Sequence, residues 1–162
     1  MAMRPKYSGG FTMLELIVNI AIISILSAIA IPAYITFRDK AKIAQARTDM
    51  HNILLAMEQL GNDTGEWPGH QPSGKTNTAA NNEIWDLSVA SAGLAATDGS
   101  YKNWKGPYMK VIPKDPWGMN YFLDTDYTVS GKIVAALGSF GPNKCCQNVY
   151  DSDNVIFVLP TM

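Results

Sequence analysis

The sequence predicts an α+β chain whose long N-terminal helix, transmembrane and then amphipathic, packs on a small antiparallel sheet. Three observations predict it. Between Leu16 and Phe37 there is no charged residue. From Ile43 to Leu60 apolar residues recur every seven positions. From Asn62 onward Gly and Pro are frequent, and short β-branched and aromatic runs follow. The 162 residues leave room for one domain and an attached segment, since single domains usually run to about 100–150 residues.

The helix comes first. Arg4 and Lys6 precede the apolar run, and the positive-inside bias keeps such an end in the cytoplasm. The uncharged stretch from Leu16 to Phe37 is 22 residues, roughly 33 Å at about 1.5 Å per residue. That matches a hydrocarbon core of about 30 Å. Ala28-Ile29-Ala30 imitates a signal-peptidase site, but a secretory signal has an apolar region of only about 7–15 residues. Glu15 sits against this run, where a carboxylate is costly and is usually functional or paired. Pro32 removes a backbone donor inside the span, which membrane helices tolerate better than soluble ones. After Arg38 the series Ile43, Met50, Met57 and Ala46, Ile53, Leu60 form one stripe, with Lys42, Arg47, Asp49, Asn52 and Gln59 off it. A head domain must cover that stripe. Gly61-Asn62 supplies a C-cap.

In the head, His70 to Asn82 reads as a polar loop. Asn81 or Asn82 caps a short helix over Glu83 to Ala95, with Ile84, Leu87 and Leu94 turned inward. Asp115-Pro116-Trp117-Gly118 is a turn, because Pro suits its first central position and Gly accepts a positive φ. Asn120 to Leu123, Thr128 to Leu137 and Val155 to Leu159 read as three strands of an antiparallel sheet.

Several function classes fall away. The formal net charge is −1, and a nucleic-acid binder usually carries a basic excess. The only histidines are His51, on the long helix, and His70, in a Gly/Pro loop. No nucleophile elbow, phosphate loop or metal-binding helix pattern appears, so no catalytic residue is assigned and an enzyme is not expected. Cys145 and Cys146 are neighbours, and no Cys/His spacing suits structural zinc. A bridge between the two, bridges between subunits and two free thiols all stay open; a redox role lacks the C-x-x-C spacing.

Two stretches carry a resemblance. The string GGFTMLEL, behind a short basic leader, resembles the type III signal of type IV prepilins and pseudopilins. That likeness implies cleavage by a prepilin peptidase between Gly10 and Phe11, with methylation of the new N-terminus at Phe11. Residues 1–10 are then a cytoplasmic leader, 11–60 the long helix (about 11–37 in membrane or filament core), and 61–162 the head. It further implies that Glu15 neutralises the freed amine of a neighbouring subunit, and that Pro32 accompanies local melting of the helix on assembly. The head resembles the type II secretion major pseudopilin (GspG) family through Trp67-Pro68, through Tyr108, Lys110, Pro113, Asp115, Pro116, Trp117, Gly118 and Tyr121, and through Ser139, Gly141 and Pro142.

The resemblance implies a pilin-like fold and a structural role, as a subunit of a pseudopilus that drives protein export. Its partners would be copies of itself, the prepilin peptidase, minor pseudopilins and an inner-membrane assembly platform. The chain would cross the inner membrane once, with its head periplasmic. The alternative is a major or minor type IV pilin serving adhesion, motility or DNA uptake. Such pilins typically close a C-terminal loop with two separated cysteines, which adjacent ones cannot do. The family also binds calcium in its C-terminal loop. Here the implied ligands are the Leu137 carbonyl, Ser139, Asn143, Asp151, Asp153 and Asn154. Asn143 and Asn154 stand where the family has acids, and Lys144-Cys145-Cys146 intrude; Asp151 to Asn154 also reads as a plain polar turn.

Overall fold

The computed structural model describes residues 10–161. The leader ahead of Gly10, with Arg4 and Lys6, lies outside the described residues. The chain divides into two units, one up to Lys40 and one from Ala41. Helix α1 is Met13–Thr64.

In the first unit α1 is apolar almost all round. Ile17, Ile20, Ile25, Ile29 and Phe37 are all exposed. A helix apolar on every face is at home inside a lipid or protein environment, not in water. It is long and apolar enough to cross a membrane. Pro32 lies within it without breaking the helical run, and the Thr36 hydroxyl donates to the Pro32 carbonyl at 3.1 Å.

In the second unit the heptad stripe meets the sheet. Ala46, Met50, Ile53, Met57 and Leu60 are fully or nearly fully buried, joined in one core by Leu87, Leu94, Tyr121, Leu123, Ala135 and Leu137. The Tyr121 hydroxyl donates to Asp49 at 3.0 Å, tying the approach to the main sheet to α1. The helix ends at Thr64, past the expected Gly61-Asn62 stop. Gly65, at φ +78°, is the left-handed residue that terminates it.

Two short strands follow, β1 (Glu66–Trp67) and β2 (Gln71–Pro72), paired antiparallel across a single turn of 3₁₀ helix at Pro68–His70. The expected helix over Glu83 to Ala95 does not form. Only Ala90–Ala92 makes a 3₁₀ turn. The backbone of this segment is used elsewhere: the N–H of Ile84 donates to Leu123 O (2.8 Å), that of Leu123 to Ile84 O (2.9 Å), and that of Leu87 to Tyr121 O (3.1 Å). Ile84 and Leu87 are buried as expected, but as an addition to the sheet.

The main sheet has the order β3 (Phe122–Val129), β4 (Lys132–Ser139), β5 (Val155–Val158), all antiparallel. The stretch expected as one strand, Thr128 to Leu137, is the meeting of two. Ser130 and Gly131, both at positive φ, reverse the chain between β3 and β4, the conformation a two-residue hairpin demands. One sheet face packs on α1. The other gathers Phe122, Tyr127, Ala136 and Phe140, with Trp85 against them, as a second cluster. A register shift between Asp124 and Tyr127 marks a bulge in β3.

Candidate functional site

Two regions hold the residues singled out above. The first is the start of α1. Thr12 occupies the N-cap position and Glu15 the third helical position. The Thr12 N–H and hydroxyl both donate to Glu15 Oε2 (2.9 and 2.7 Å), and the Glu15 N–H donates back to Thr12 Oγ1 at 3.2 Å. This is a reciprocal capping box, which satisfies donors that a helix start otherwise leaves bare. Phe11 stands immediately before it, largely exposed. Within one chain Glu15 is therefore held at the helix tip, beside the residue whose amine cleavage would free. The T-x-x-E spacing announced this cap in the sequence. Thr12 was the residue missed there.

The second region is the C-terminal loop between β4 and β5. Its root is clamped by Asp115. The Trp117 and Met119 N–H groups donate to Asp115 Oδ1 (3.0 and 2.7 Å), and the Gly118 N–H closes the turn onto Asp115 O at 2.9 Å. The Ser139 hydroxyl donates to Asp115 Oδ2 and accepts from the Gly141 N–H at 3.0 Å. So the turn at Asp115–Gly118 does more than reverse the chain: its carboxylate fixes the end of β4. Gly141, at φ +68°, also lies hard against the Asp153 carbonyl, where a Cβ would collide. Any other residue at this position would push the loop's two limbs apart.

Within the loop, Asn143 Nδ2 donates to Asp151 Oδ2 at 2.7 Å. The Asp153 and Asn154 N–H groups donate to Asp151 Oδ1 at 3.0 and 3.2 Å. Asn154 Nδ2 donates to the Tyr127 hydroxyl and to Val149 O, both at 2.9 Å, while its Oδ1 is buried with no donor. Asn143, Asp151 and Asn154 are thus brought together, with Asp153 directly beside them. Ser139 spends its hydroxyl on Asp115, and Leu137 lies mid-strand, paired with Leu123 on one side and Phe157 on the other. Among the described residues no group of three His, Cys, Asp or Glu side chains is placed to hold a metal ion. The donor chemistry of the loop is all oxygen, which suits a hard cation, and the orphaned Asn154 Oδ1 is an acceptor in search of one. Cys145 and Cys146 follow in the same loop, and the Cys145 N–H donates to Asn143 Oδ1 at 3.0 Å.

A further ionic cluster lies at the other end of the head. His70 Nδ1 is 2.7 Å from Glu66 and its Nε2 3.1 Å from Asp98, with the ring stacked on Tyr101 at 4.0 Å. Burial opposes the imidazolium, but the hydrogen bonds to Glu66 and Asp98 and their charges outweigh it, so the His70 pKa is raised. Hydrogen bonds from Ser100, then His70, pull Asp98 down to about 2.

Residues 89–148 match the family described as type II secretion system protein G. Residues 5–31 match the prokaryotic N-terminal methylation motif. The type II secretion system core protein G of Pseudomonas aeruginosa is 28% identical over 153 residues, 94% of this chain and 98% of that protein. The corresponding protein of Aeromonas hydrophila is 28% identical over 119 residues, 74% of each chain. The type IV major pilin protein PilE of Neisseria gonorrhoeae is 34% identical over 138 residues, covering 85% of this chain but 61% of that one. Among solved structures, the major pseudopilin from the type 2 secretion system of enterohaemorrhagic Escherichia coli superposes with a TM-score of 0.51 at 19% identity, covering 75% of this chain and 86% of that one.

Proposed function

We infer that this chain, a GspG-type pilin-like protein, is the structural subunit of a type II secretion pseudopilus and polymerises through its N-terminal helix. One observation carries the assembly mechanism: an acid held by a capping box at the tip of a helix whose first half is apolar and exposed. In a bundle of such helices, lateral packing buries the apolar faces, and burial of apolar surface contributes roughly 25 cal/mol per Å². The carboxylate must then be neutralised, since an unpaired charge in a low-dielectric core is far costlier than at a surface. The amine of Phe11 in a neighbouring copy, freed by cleavage after Gly10, is the matching cation.

The peptidase that cuts there, minor pseudopilins and an inner-membrane platform complete the proposed partners. The proposed topology is a single pass through the inner membrane with the head on the periplasmic side. Pro32 lets the helix loosen locally when subunits pack. The C-terminal loop takes calcium through oxygens of Asp151, Asp153, Asn143 and Asn154, with water completing the shell, since Leu137 and Ser139 are paired within the sheet. The surface-pilin reading draws on the shared N-terminal half, but neighbouring cysteines cannot close a long loop, and the relative named PilE is covered over only 61% of its length.

The test is Glu15→Ala in cells that assemble filaments. The expected outcome is normal cleavage and membrane insertion with filament yield reduced at least about tenfold, the loss corresponding to about 1.4 kcal/mol per subunit added. Unchanged filament yield would remove the proposed role of Glu15.

A further inference from the structure

Where the uncharged run of α1 ends, three cations follow closely: Arg38, Lys40 and Lys42. Asp39 is the only acid among them. It is held by Arg38, whose Nε and Nη2 donate to Asp39 Oδ1 at 3.2 and 3.1 Å. Among the described residues neither Lys40 nor Lys42 is in a salt bridge. The segment therefore keeps two positive charges that no described acid pairs. At 3.6 residues per turn, Lys40 lies about 200° round the helix from Arg38, and Lys42 about 40°. The charges ring the helix and do not form one face. From Arg38 to Lys42 the helix rises about 6 Å. The polar layer on each side of a bilayer is of the same depth, roughly 5–7 Å, beyond a hydrocarbon core of about 30 Å. Tyr34, one turn before Arg38 and 67% exposed, is an aromatic residue of the kind that gathers at that boundary.

A helix that docks on one protein carries its charges on one side, whereas a layer meets every side at once. We propose that the Arg38–Lys42 belt binds the headgroups of anionic phospholipids in the leaflet where α1 leaves the hydrocarbon. Lysine and arginine reach such a layer by laying their aliphatic stems along apolar surface and keeping the charge in polar surroundings. Lipid phosphate accepts from ammonium and guanidinium donors. Two unbalanced cations select a headgroup of net negative charge over a zwitterionic one. The proposal rests on the membrane-spanning reading of α1, and it holds at whichever leaflet the head lies. Bound headgroups fix the depth of α1 in the bilayer, and a subunit drawn into a filament must release them.

The experiment reconstitutes the full chain in phosphatidylcholine vesicles. Electron paramagnetic resonance then compares spin-labelled phosphatidylglycerol with spin-labelled phosphatidylcholine at the protein surface. Arg4 and Lys6 are the same in every variant, so differences between variants read the belt. The expected wild-type preference for phosphatidylglycerol is at least about threefold, and 0.5 M salt (about a 4 Å screening length) weakens it. Lys40→Gln/Lys42→Gln is expected to bring the preference close to equality, with helix content unchanged by circular dichroism. Asp39→Asn, which removes only the acid, is expected to raise it by at least about twofold, a gain that no loss of folding produces. A wild type without preference, or a double variant that keeps it, overturns the belt and leaves the pseudopilus reading to its own test. An unchanged preference in Asp39→Asn does the same. Filament yield that collapses in the double variant while the lipid preference stays assigns these lysines to acids of a neighbouring copy, and so also overturns the proposal.

Discussion

His70 shows how one side chain can couple two loops. It bridges Glu66, on β1, and Asp98, 28 residues along, at a backbone φ of +58° that few non-glycine residues adopt. Its folded pKa is raised above the ordinary 6.5. Stability from the imidazolium is therefore present in full below that value and is lost as pH rises through the folded one. The expected outcome is that the melting temperature of the wild type falls, relative to His70→Gln, as pH rises above 6.5, and that the difference between the two is constant below it. Thermal melts at four pH values check it. The effect is small, because the ring and both partners are about one-third exposed and solvent screens them. Asp115 is a different case. Its carboxylate accepts from two backbone N–H groups and a buried hydroxyl, so its burial is compensated bond by bond.

At the scale of elements, β4 is the central strand of the main sheet. It is flanked by β3 and β5, and Ala135, Ala136, Leu137, Gly138 and Ser139 are all buried. Leu137→Ala is expected to cost about 2–5 kcal/mol, as large-to-small changes in a packed core do. Ile133→Ala, on the same strand but 54% exposed, is expected to change stability by less than about 0.5 kcal/mol. Urea unfolding of both variants reads the difference. Gly141→Ala combines a left-handed backbone with a collision at the Asp153 carbonyl. It is expected to lower the melting temperature and to speed amide exchange from Asn143 to Asn154, leaving α1 protected; hydrogen-exchange mass spectrometry checks both.

The whole molecule joins a lipid-compatible helix to a water-compatible head in one chain. That division makes it a membrane-anchored subunit, and it leaves the head's stability to be measured by itself. If the C-terminal loop takes calcium, binding to the folded state alone adds about 2.7 kcal/mol at a hundredfold excess over Kd. Chelation is then expected to lower the head's melting temperature, and Asp151→Asn/Asp153→Asn to abolish part of that shift. A melting curve identical in chelator and in added calcium would end the loop proposal.

Sequence alone determined the long helix, its apolar half, the heptad stripe and the turn at Asp115–Gly118, because each depends on local hydrophobicity, periodicity or a φ that only some residues allow. It also placed Glu15 one helical turn after Phe11, since spacing on a helix is geometry. Only the tertiary structure decided that Ile84 and Leu87 join a sheet instead of a helix, for an inward-facing pair at that spacing suits either until β3 offers its backbone. The same holds for Asp124, which reads as an ordinary strand residue until a bulge and an overlying tyrosine remove it from water. Burial is set by residues distant in sequence, and burial is what makes the charge of a carboxylate costly.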